Sequence, residues 1–450
     1  MKQNFIRLGI LMILIILCIG QTVQLWLGDM SGHTFFVDTS QNILTQPKNI
    51  WMNYNGLAYR VDGSSNENRE GMLMELMHII KMNEYNIRRV SDVKYRQLLE
   101  DEGFVYEYAL PLTLGQIVGT SINPKGMKNE YINIMTIFVK SHKGDNKIYL
   151  IDDKDKVCFS ISFDEKMQLH DRINSYYTDS SEEINEKTYQ ASMLNSNYMN
   201  IFERNIFYPL DNTNSPFIYD ALSLNNVIPS NYNQKIETLE TYVDSFFKNP
   251  DYKHSYDMDS GYVFSDALDM NVFYNYEGYL EFNQRYEKAN INVSKEEQLA
   301  IINKYIYSSK QIPNTIKQGI FLKEIKENDD TGEVRYRFGY KYNGFEVLLS
   351  ERFIDGIGMD AFVEIGINEN QIVYGKWIMK EIEIDTYRTK EKYNLTKEGY
   401  VAISDTEKMC NIDNLEEDKF SNMQCAYIVE NDDKIDFTWA TLYKGRWYYK

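Results

Sequence analysis

The 450-residue chain is poor in cysteine, histidine and proline. It contains only 4 Cys, 5 His and 8 Pro. The histidines are scattered, without the spacing that metal sites need. The sequence also lacks a GxSxG elbow, an HExxH helix, a Walker loop and a GxGxxG turn. We therefore predict a protein that is not an enzyme and that binds no cofactor or metal.

Positive charge is scarce as well. The chain has 48 Lys and Arg against 66 Asp and Glu, which gives a formal net charge of −18. Its first 27 residues contain Lys2 and Arg7 and no acidic residue, so the rest of the chain is more acidic still. Such a surface repels phosphate backbones and anionic lipid headgroups. The composition therefore argues against nucleic acid as a partner.

The four cysteines lack the paired spacings of a disulfide framework. Cys18 lies in a long apolar segment, and Cys158 lies alone in a predicted strand. Cys410 and Cys425 lie near each other in the last part of the chain. These two either form a disulfide in an oxidising compartment or remain free buried thiols, and the sequence leaves both interpretations open.

The most distinctive segment is the uncharged run at residues 8–27. A helix of that length spans about 30 Å, the thickness of the hydrocarbon core of a bilayer. Lys2 and Arg7 precede it and Asp29 follows, so the positive-inside rule places residues 1–7 in the cytoplasm. No small-x-small pair offers a cleavage site, which favours an anchor over a cleaved signal peptide. We predict a single-pass protein of the cell membrane whose bulk is extracytoplasmic.

One face of this predicted helix differs from the rest and is our candidate partner-binding site. Glycines allow helix backbones to approach each other, and amides in hydrocarbon need hydrogen-bonding partners. The face therefore either packs on another membrane helix, or its glutamines merely reach the outer headgroup layer. The face is formed by Gly9, Ile13, Gly20 and Gln24, with Gln21 at its edge.

The remaining chain has the composition of a folded α+β protein. Its 36 Tyr and 22 Phe favour half-buried, pleated surfaces, and therefore antiparallel sheets. In the first part, strands are predicted at 131–140, 147–151 and 157–163. An Asn/Ser/Pro-rich stretch at 211–233 is typical of a linker. We predict about three α+β domains with helices packed on antiparallel sheets, at residues 35–205, 215–293 and 294–450.

The clearest module begins with a capping box at Ser294 and Glu297, which predicts a helix to about residue 308. Residues 334–342 then alternate between an apolar and a basic face, as a half-buried strand does. Asn343-Gly344 is a strong hairpin signal, and a second hairpin is predicted from 361–367 and 371–379. These elements predict one helix on a five-stranded antiparallel meander, which residues 381–450 would complete.

A basic-flanked helix, the exit Leu25-Trp26-Leu27-Gly28-Asp29 and an acidic, Tyr-rich remainder together resemble the YycH family. Its members are membrane-anchored accessory proteins of the WalR/WalK (YycF/YycG) two-component system in low-GC Gram-positive bacteria. The module at 294–380 resembles the domain that YycH shares with YycI, which is itself similar to PepSY domains. The resemblance implies a three-domain ectodomain without catalytic residues. It also implies control of a WalK-like sensor histidine kinase, together with a YycI-like membrane protein, through contacts between transmembrane helices.

A second class of function stays open. A PepSY-like inhibitor of a secreted peptidase, or a wall-facing binding protein, would use the helix as a mere tether. The two classes differ in what the helix does, because a helix-based regulator fails when residues 8–27 are replaced by an unrelated apolar helix. A tethered protein tolerates that replacement. An unrecognised envelope hydrolase is a third, less favoured interpretation.

Overall fold

The computed structural model describes the chain from Thr45 to Tyr449, with gaps. Residues 1–44, including the predicted membrane helix, lie outside the described part. Among the described helices, none has the length and apolar character needed to cross a membrane. The described residues are 45–54, 57–60, 76, 80, 86–90, 101–119, 133–140, 147–152, 157–162, 190–193, 201–203, 206–210, 217–229, 232–266, 269–286, 293–328, 332–385, 391–393, 395–412, 418–431 and 434–449.

The first part of the chain forms a sheet of nine described strands, all antiparallel to their neighbours. The predicted strands at 131–140, 147–151 and 157–163 are confirmed as β5, β6 and β7. The strand order is β3-β7-β6-β5-β4-β1-β2-β8-β9. The strands are β1 (Asn49–Tyr54), β2 (Leu57–Arg60), β3 (Asn86–Val90), β4 (Gly103–Leu112), β5 (Ile134–Lys140), β6 (Lys147–Asp152), β7 (Val157–Ser162), β8 (Gln190–Met193) and β9 (Phe207–Leu210).

The rest of the chain forms a larger sheet and a separate two-stranded ladder, β10 with β22. The larger sheet runs β12-β13-β14-β15-β20-β19-β17-β18-β23-β24-β11-β21, with β16 beside β17 and β25 beside β24. Its pairs are antiparallel except for β18 with β23. These strands are β10 (Phe217–Tyr219), β11 (Leu222–Asn226), β12 (His254–Met258), β13 (Gly261–Ser265), β14 (Met270–Asn275), β15 (Tyr279–Gln284), β16 (Ile320–Asn328), β17 (Glu333–Tyr342), β18 (Phe345–Leu349), β19 (Val363–Asn368), β20 (Gln371–Ile378), β21 (Lys380–Ile384), β22 (Glu391–Tyr393), β23 (Asn422–Asn431), β24 (Lys434–Tyr443) and β25 (Arg446–Tyr449).

Short helices cover one face of this larger sheet. Rings from two of its strands, Phe282 and Trp377, pack on Phe246, with centroids 5.1 and 6.0 Å from that ring. The ring of Tyr305 also packs on Phe282, with centroids 6.3 Å apart. The helices with described bounds are α1 (Leu114–Val118), α2 (Tyr232–Val243), α3 (Lys295–Ser308), α4 (Asn314–Gly319), α5 (Glu351–Ile357) and α6 (Leu395–Cys410).

The α+β class and the dominance of antiparallel sheets are thus confirmed, but the linker prediction is wrong where it can be tested. Residues 217–229 of that stretch contain β10 and β11. Leu222 pairs with Ile384 of β21 on one side and with Ile435 of β24 on the other. Three of the polar residues that made this stretch resemble a linker lie within β11 itself: Ser223, Asn225 and Asn226.

Within the module at 294–380, the local predictions are confirmed and the meander is wrong. The capping box at Ser294 and Glu297 starts α3, and Asn343 and Gly344 have φ of 45° and 80° in the hairpin turn. The ten-residue β17, however, has two partners along one edge. Residues 340–342 pair with β18, and residues 334–338 pair with β19. In the chain α5 lies between β18 and β19, which do not pair with each other, and the second partner of β18 is β23.

Residues 381–450 complete this sheet, as predicted, through the parallel pairing of β18 with β23. The sheet also continues in the opposite direction, because β15 pairs with β20 over residues 279–283 and 374–378. The predicted boundary between residues 293 and 294 lies in the connection that follows β15. Strands from both sides of that boundary share one sheet, and the three predicted domain ranges stay a prediction.

Candidate functional site

The predicted partner-binding face, formed by Gly9, Ile13, Gly20, Gln21 and Gln24, lies outside the described residues, so it stays a prediction. The described chain begins at Thr45, and residues 28–44 separate it from the predicted helix. Residues 45–60 contact both sheets. We call this contact the junction and define it as Thr45–Lys48 and Arg60 on one side, with Lys341 and Glu346 on the other.

The junction is held to the first sheet through α1. The Thr45 amide donates to the Ile117 carbonyl at 3.3 Å, and its hydroxyl donates to the Gln116 carbonyl at 2.8 Å. A capping box of Thr113 and Gln116 starts α1. The Thr113 hydroxyl also donates to Glu296 of α3 at 3.1 Å. The helix that holds Thr45 is therefore itself connected to the helical layer of the larger sheet.

A buried ion pair connects the junction to the larger sheet. Lys48 Nζ lies 2.6 Å from Glu346 Oε2, and their side chains are only 8% and 4% exposed. Gln424 Nε2 donates to the same carboxylate oxygen at 2.5 Å. The ammonium group also lies 5.7 Å from the ring centre of Phe321 and 5.8 Å from that of Trp447. The pair is thus enclosed by aromatic rings and provided with hydrogen bonds, which a buried charge requires.

Electrostatics favour the ionised form of Glu346. Burial alone would raise the pKa of its carboxyl, because desolvation penalises the charged form. The charges of Lys48 and Lys323, with the hydrogen bonds from Gln424 and Lys48, outweigh this effect and lower the pKa below its usual value. The carboxylate therefore stays charged at neutral pH although it is enclosed.

Two further cations complete the junction. Lys341, at the end of β17, donates to the backbone carbonyls of Pro47 and Lys48 at 3.0 and 2.6 Å. The Arg60 guanidinium lies 4.8 Å from the ring centre of Phe345 and donates to Asn49 at 3.0 Å. These contacts bind the backbone of 47–48 and the end of β2 to the hairpin of β17 and β18.

The basic face of β17 also carries a network that the sequence did not reveal. Arg337 is buried and bonds Glu324 of β16 at 2.7 Å and Glu364 of β19 at 2.9 Å. On the next strand, β20, Lys376 is the register partner of Glu364. Its Nζ lies 3.4 Å from Glu281 Oε2 on the strand after that, β15. Charges of opposite sign therefore alternate over five neighbouring strands. Each charged group lies beside a group of opposite sign, so the role of this network is structural.

The described part of the chain contains no candidate metal site and no disulfide. There, no three His, Cys, Asp or Glu side chains are grouped so as to hold a metal ion. Cys158, Cys410 and Cys425 are free thiols, two of them buried, so the structure has no disulfide between Cys410 and Cys425. The junction fixes residues 45–48 against both sheets. Sequence analysis missed Lys48, Arg60, Lys341 and Glu346, since nothing in their spacing distinguishes them from surface charges.

No protein-family model matches the sequence, and no curated protein is similar to it in sequence. The structure is similar to an uncharacterized protein from Eubacterium rectale with a TM-score of 0.35 and 10% identity, over 58% of this chain and 88% of that chain. It is also similar to the crystal structure of YycH from Bacillus subtilis, with a TM-score of 0.57 and 12% identity. That match covers 91% of this chain and 97% of YycH. The described chain therefore has a fold similar to that of YycH.

Proposed function

We propose that the chain is a non-enzymatic, membrane-anchored accessory protein that modulates a sensor histidine kinase of a cell-envelope two-component system. The observation that carries this proposal is the similarity to the fold of YycH over nearly the whole of both chains. The resemblance of the N-terminal segment to the YycH family supports the same function. The partners implied are a WalK-like kinase and a YycI-like membrane protein.

The junction gives this proposal a physical basis. An accessory protein that acts through its membrane helix must control where that helix lies. Residues 45–48 follow the predicted helix after the connection 28–44, and they are bonded to α1 and to the hairpin of β17 and β18. In this proposal the ectodomain sets the position of the helix through residues 28–44, whereas a mere tether has no need for a buried ion pair at this place.

The test replaces the polar face of the helix without changing its length. In the variant Gly20→Leu, Gln21→Leu, Gln24→Leu the segment stays apolar enough to insert. Hydrogen bonds between helices in bilayers contribute about 0.6–2 kcal/mol each, so crosslinking to the kinase should fall several-fold. The matched control is Cys18→Leu with Thr22→Leu, which alters the opposite face of the same helix.

Protein level and orientation must be unchanged in both variants for the comparison to hold. If the triple variant crosslinks to the kinase and regulates it as well as the natural sequence does, the helix is not the interaction surface. The tethered PepSY-like inhibitor, or the wall-facing binding protein, would then be the better description.

A further inference from the structure

The free edge of the larger sheet carries features that the proposed function does not use. β12 is the last strand on this edge, and in the described part of the chain it pairs only with β13. All five residues of β12, from His254 to Met258, are exposed. Most edge strands are protected by Lys, Pro, a bulge or a covering loop. β12 contains neither Lys nor Pro, and its register with β13 has no shift.

The register shows which backbone groups of β12 point outward. Met258 and Gly261 are partners across the two-residue turn at 259–260. Partners that close such a turn exchange both backbone hydrogen bonds, and the pattern alternates along an antiparallel pair. The N–H and C=O groups of Ser255 and Asp257 therefore point away from β13, toward solvent.

Exposed apolar side chains lie beside these groups. Tyr256 and Met258 are 57% and 51% exposed, and they lie on the same face of β12. Across the sheet, Tyr256 is the register partner of Val263, which in turn is the partner of Phe273. Both of these are half-buried. A contiguous apolar strip therefore adjoins the outward-pointing backbone groups, and this combination is what an added strand requires.

The charges near this edge indicate what kind of strand it would be. Asp257 and Asp259 lie on the β12–β13 hairpin, and the exposed Glu277 lies on the next turn. Lys253, the cation next to β12 in sequence, is bonded to Asp244 at 2.5 Å. A second copy of this chain would bring the same carboxylates to the interface. Charge complementarity therefore favours a basic partner over self-association.

We propose that β12 is a docking edge for an extended, basic segment of a partner protein, which adds to the larger sheet as one more strand. Its backbone bonds the outward groups of Ser255 and Asp257. Its apolar side chains pack on Tyr256 and Met258, and its Lys or Arg side chains lie near Asp257 and Asp259. This proposal does not depend on the identity of the kinase or on the membrane helix.

The test measures binding of a labelled probe to the full-length chain in detergent by fluorescence anisotropy. The probe is the peptide Lys-Val-Lys-Val-Lys-Val-Lys, and its counterpart with Glu in place of Lys is the control. Ser255→Pro removes one outward N–H without removing a bond to β13, and Pro is tolerated at such edge positions. Ser255→Ala keeps that N–H and is the matched control variant.

We expect saturable binding of the basic probe by the natural sequence and by Ser255→Ala, and at least ten-fold weaker binding by Ser255→Pro. If Ser255→Pro is misfolded by circular dichroism, the variant Tyr256→Lys with Met258→Lys takes its place. The two replaced side chains, Tyr256 and Met258, are exposed. This variant should weaken binding of the basic probe to the same extent. The proposal would be overturned if the edge variants bound the basic probe as tightly as the natural sequence does. It would also be overturned if the natural sequence bound the acidic probe as tightly as the basic one. A concentration-dependent dimer that Ser255→Pro dissociates would overturn it too, because the occupant would then be a second copy.

Discussion

Removing one partner of the Lys48–Glu346 pair should destabilise the protein far more than removing an exposed ion pair of the same length. At 2.6 Å and an effective dielectric constant of about 20, the gross attraction between two unit charges is about 6 kcal/mol. Desolvation of side chains that are 8% and 4% exposed offsets most of it. The pair is therefore close to neutral in stability as long as both charges are present.

The balance changes when one charge is left alone. Lys48→Met keeps the length and apolar character of the stem but leaves the Glu346 carboxylate buried with only Gln424 as a hydrogen-bond donor in the described contacts. Breaking a buried pair in this way costs about 3–5 kcal/mol. Glu346→Gln likewise leaves the Lys48 ammonium group buried without the negative charge of Glu346. The double variant removes both charges, so it should lose less stability than either single variant.

The assay is urea unfolding of the full-length chain in detergent, followed by circular dichroism. The control is Arg446→Met, because Arg446 and Glu351 also lie 2.7 Å apart but are 68% and 77% exposed. Such exposed pairs contribute about 0–1 kcal/mol. Equal losses from Lys48→Met and Arg446→Met, or losses that simply add in the double variant, would refute the argument from burial.

Two further predictions concern the same region. The lowered pKa of Glu346 means that the carboxylate's contribution is present above about pH 4.5 and is lost as the pH falls through that pKa. The difference in urea midpoint between the natural sequence and Glu346→Gln should therefore be large at pH 7 and should decrease as the pH falls below about 4.5; a constant difference would contradict it. Gly344→Val should lower the Tm by the equivalent of about 1–3 kcal/mol, because φ is +80° and a Cβ would lie 2.7 Å from Arg60 Nε. Gly445→Val, at φ +79° with nothing within 4 Å, should cost less, and equal losses would show that the contact with Arg60 is unimportant.

Local signals in the sequence were sufficient to predict individual elements. The capping box at Ser294, the alternation along β17 and the turn at Asn343-Gly344 each depend on residues a few positions apart. Pairing between distant segments carries no such signal. Leu222 is placed by Ile384 and Ile435, and the path of β18 is decided by a parallel contact with β23. The linker and the meander were therefore predicted wrongly for the same physical reason.

The junction was beyond prediction for a related reason. A lysine before a strand and a glutamate after a hairpin are typical surface residues. Lys48 and Glu346 become buried only because two segments distant in the sequence meet in the folded chain. The sequence likewise gives the basic face of β17 but not its partners, so Lys341 and Arg337 resemble exposed charges until the neighbouring segments are in place.

The junction also bears on the choice between a regulator and a tether. A buried ion pair can often be replaced by apolar residues with little loss of stability, so it is weak evidence for a stabilising role. Here it fixes residues 45–48 in one position against β17 and β18, and residues 28–44 connect them to the segment predicted to cross the membrane. The double variant Lys48→Met, Glu346→Gln separates the two roles, since it should remain folded while that position is less strictly defined. If the protein acts by positioning its helix, kinase regulation should be impaired in this variant although its unfolding is nearly normal. A tethered binding protein would be indifferent to the change, because its activity does not depend on where the chain enters the membrane.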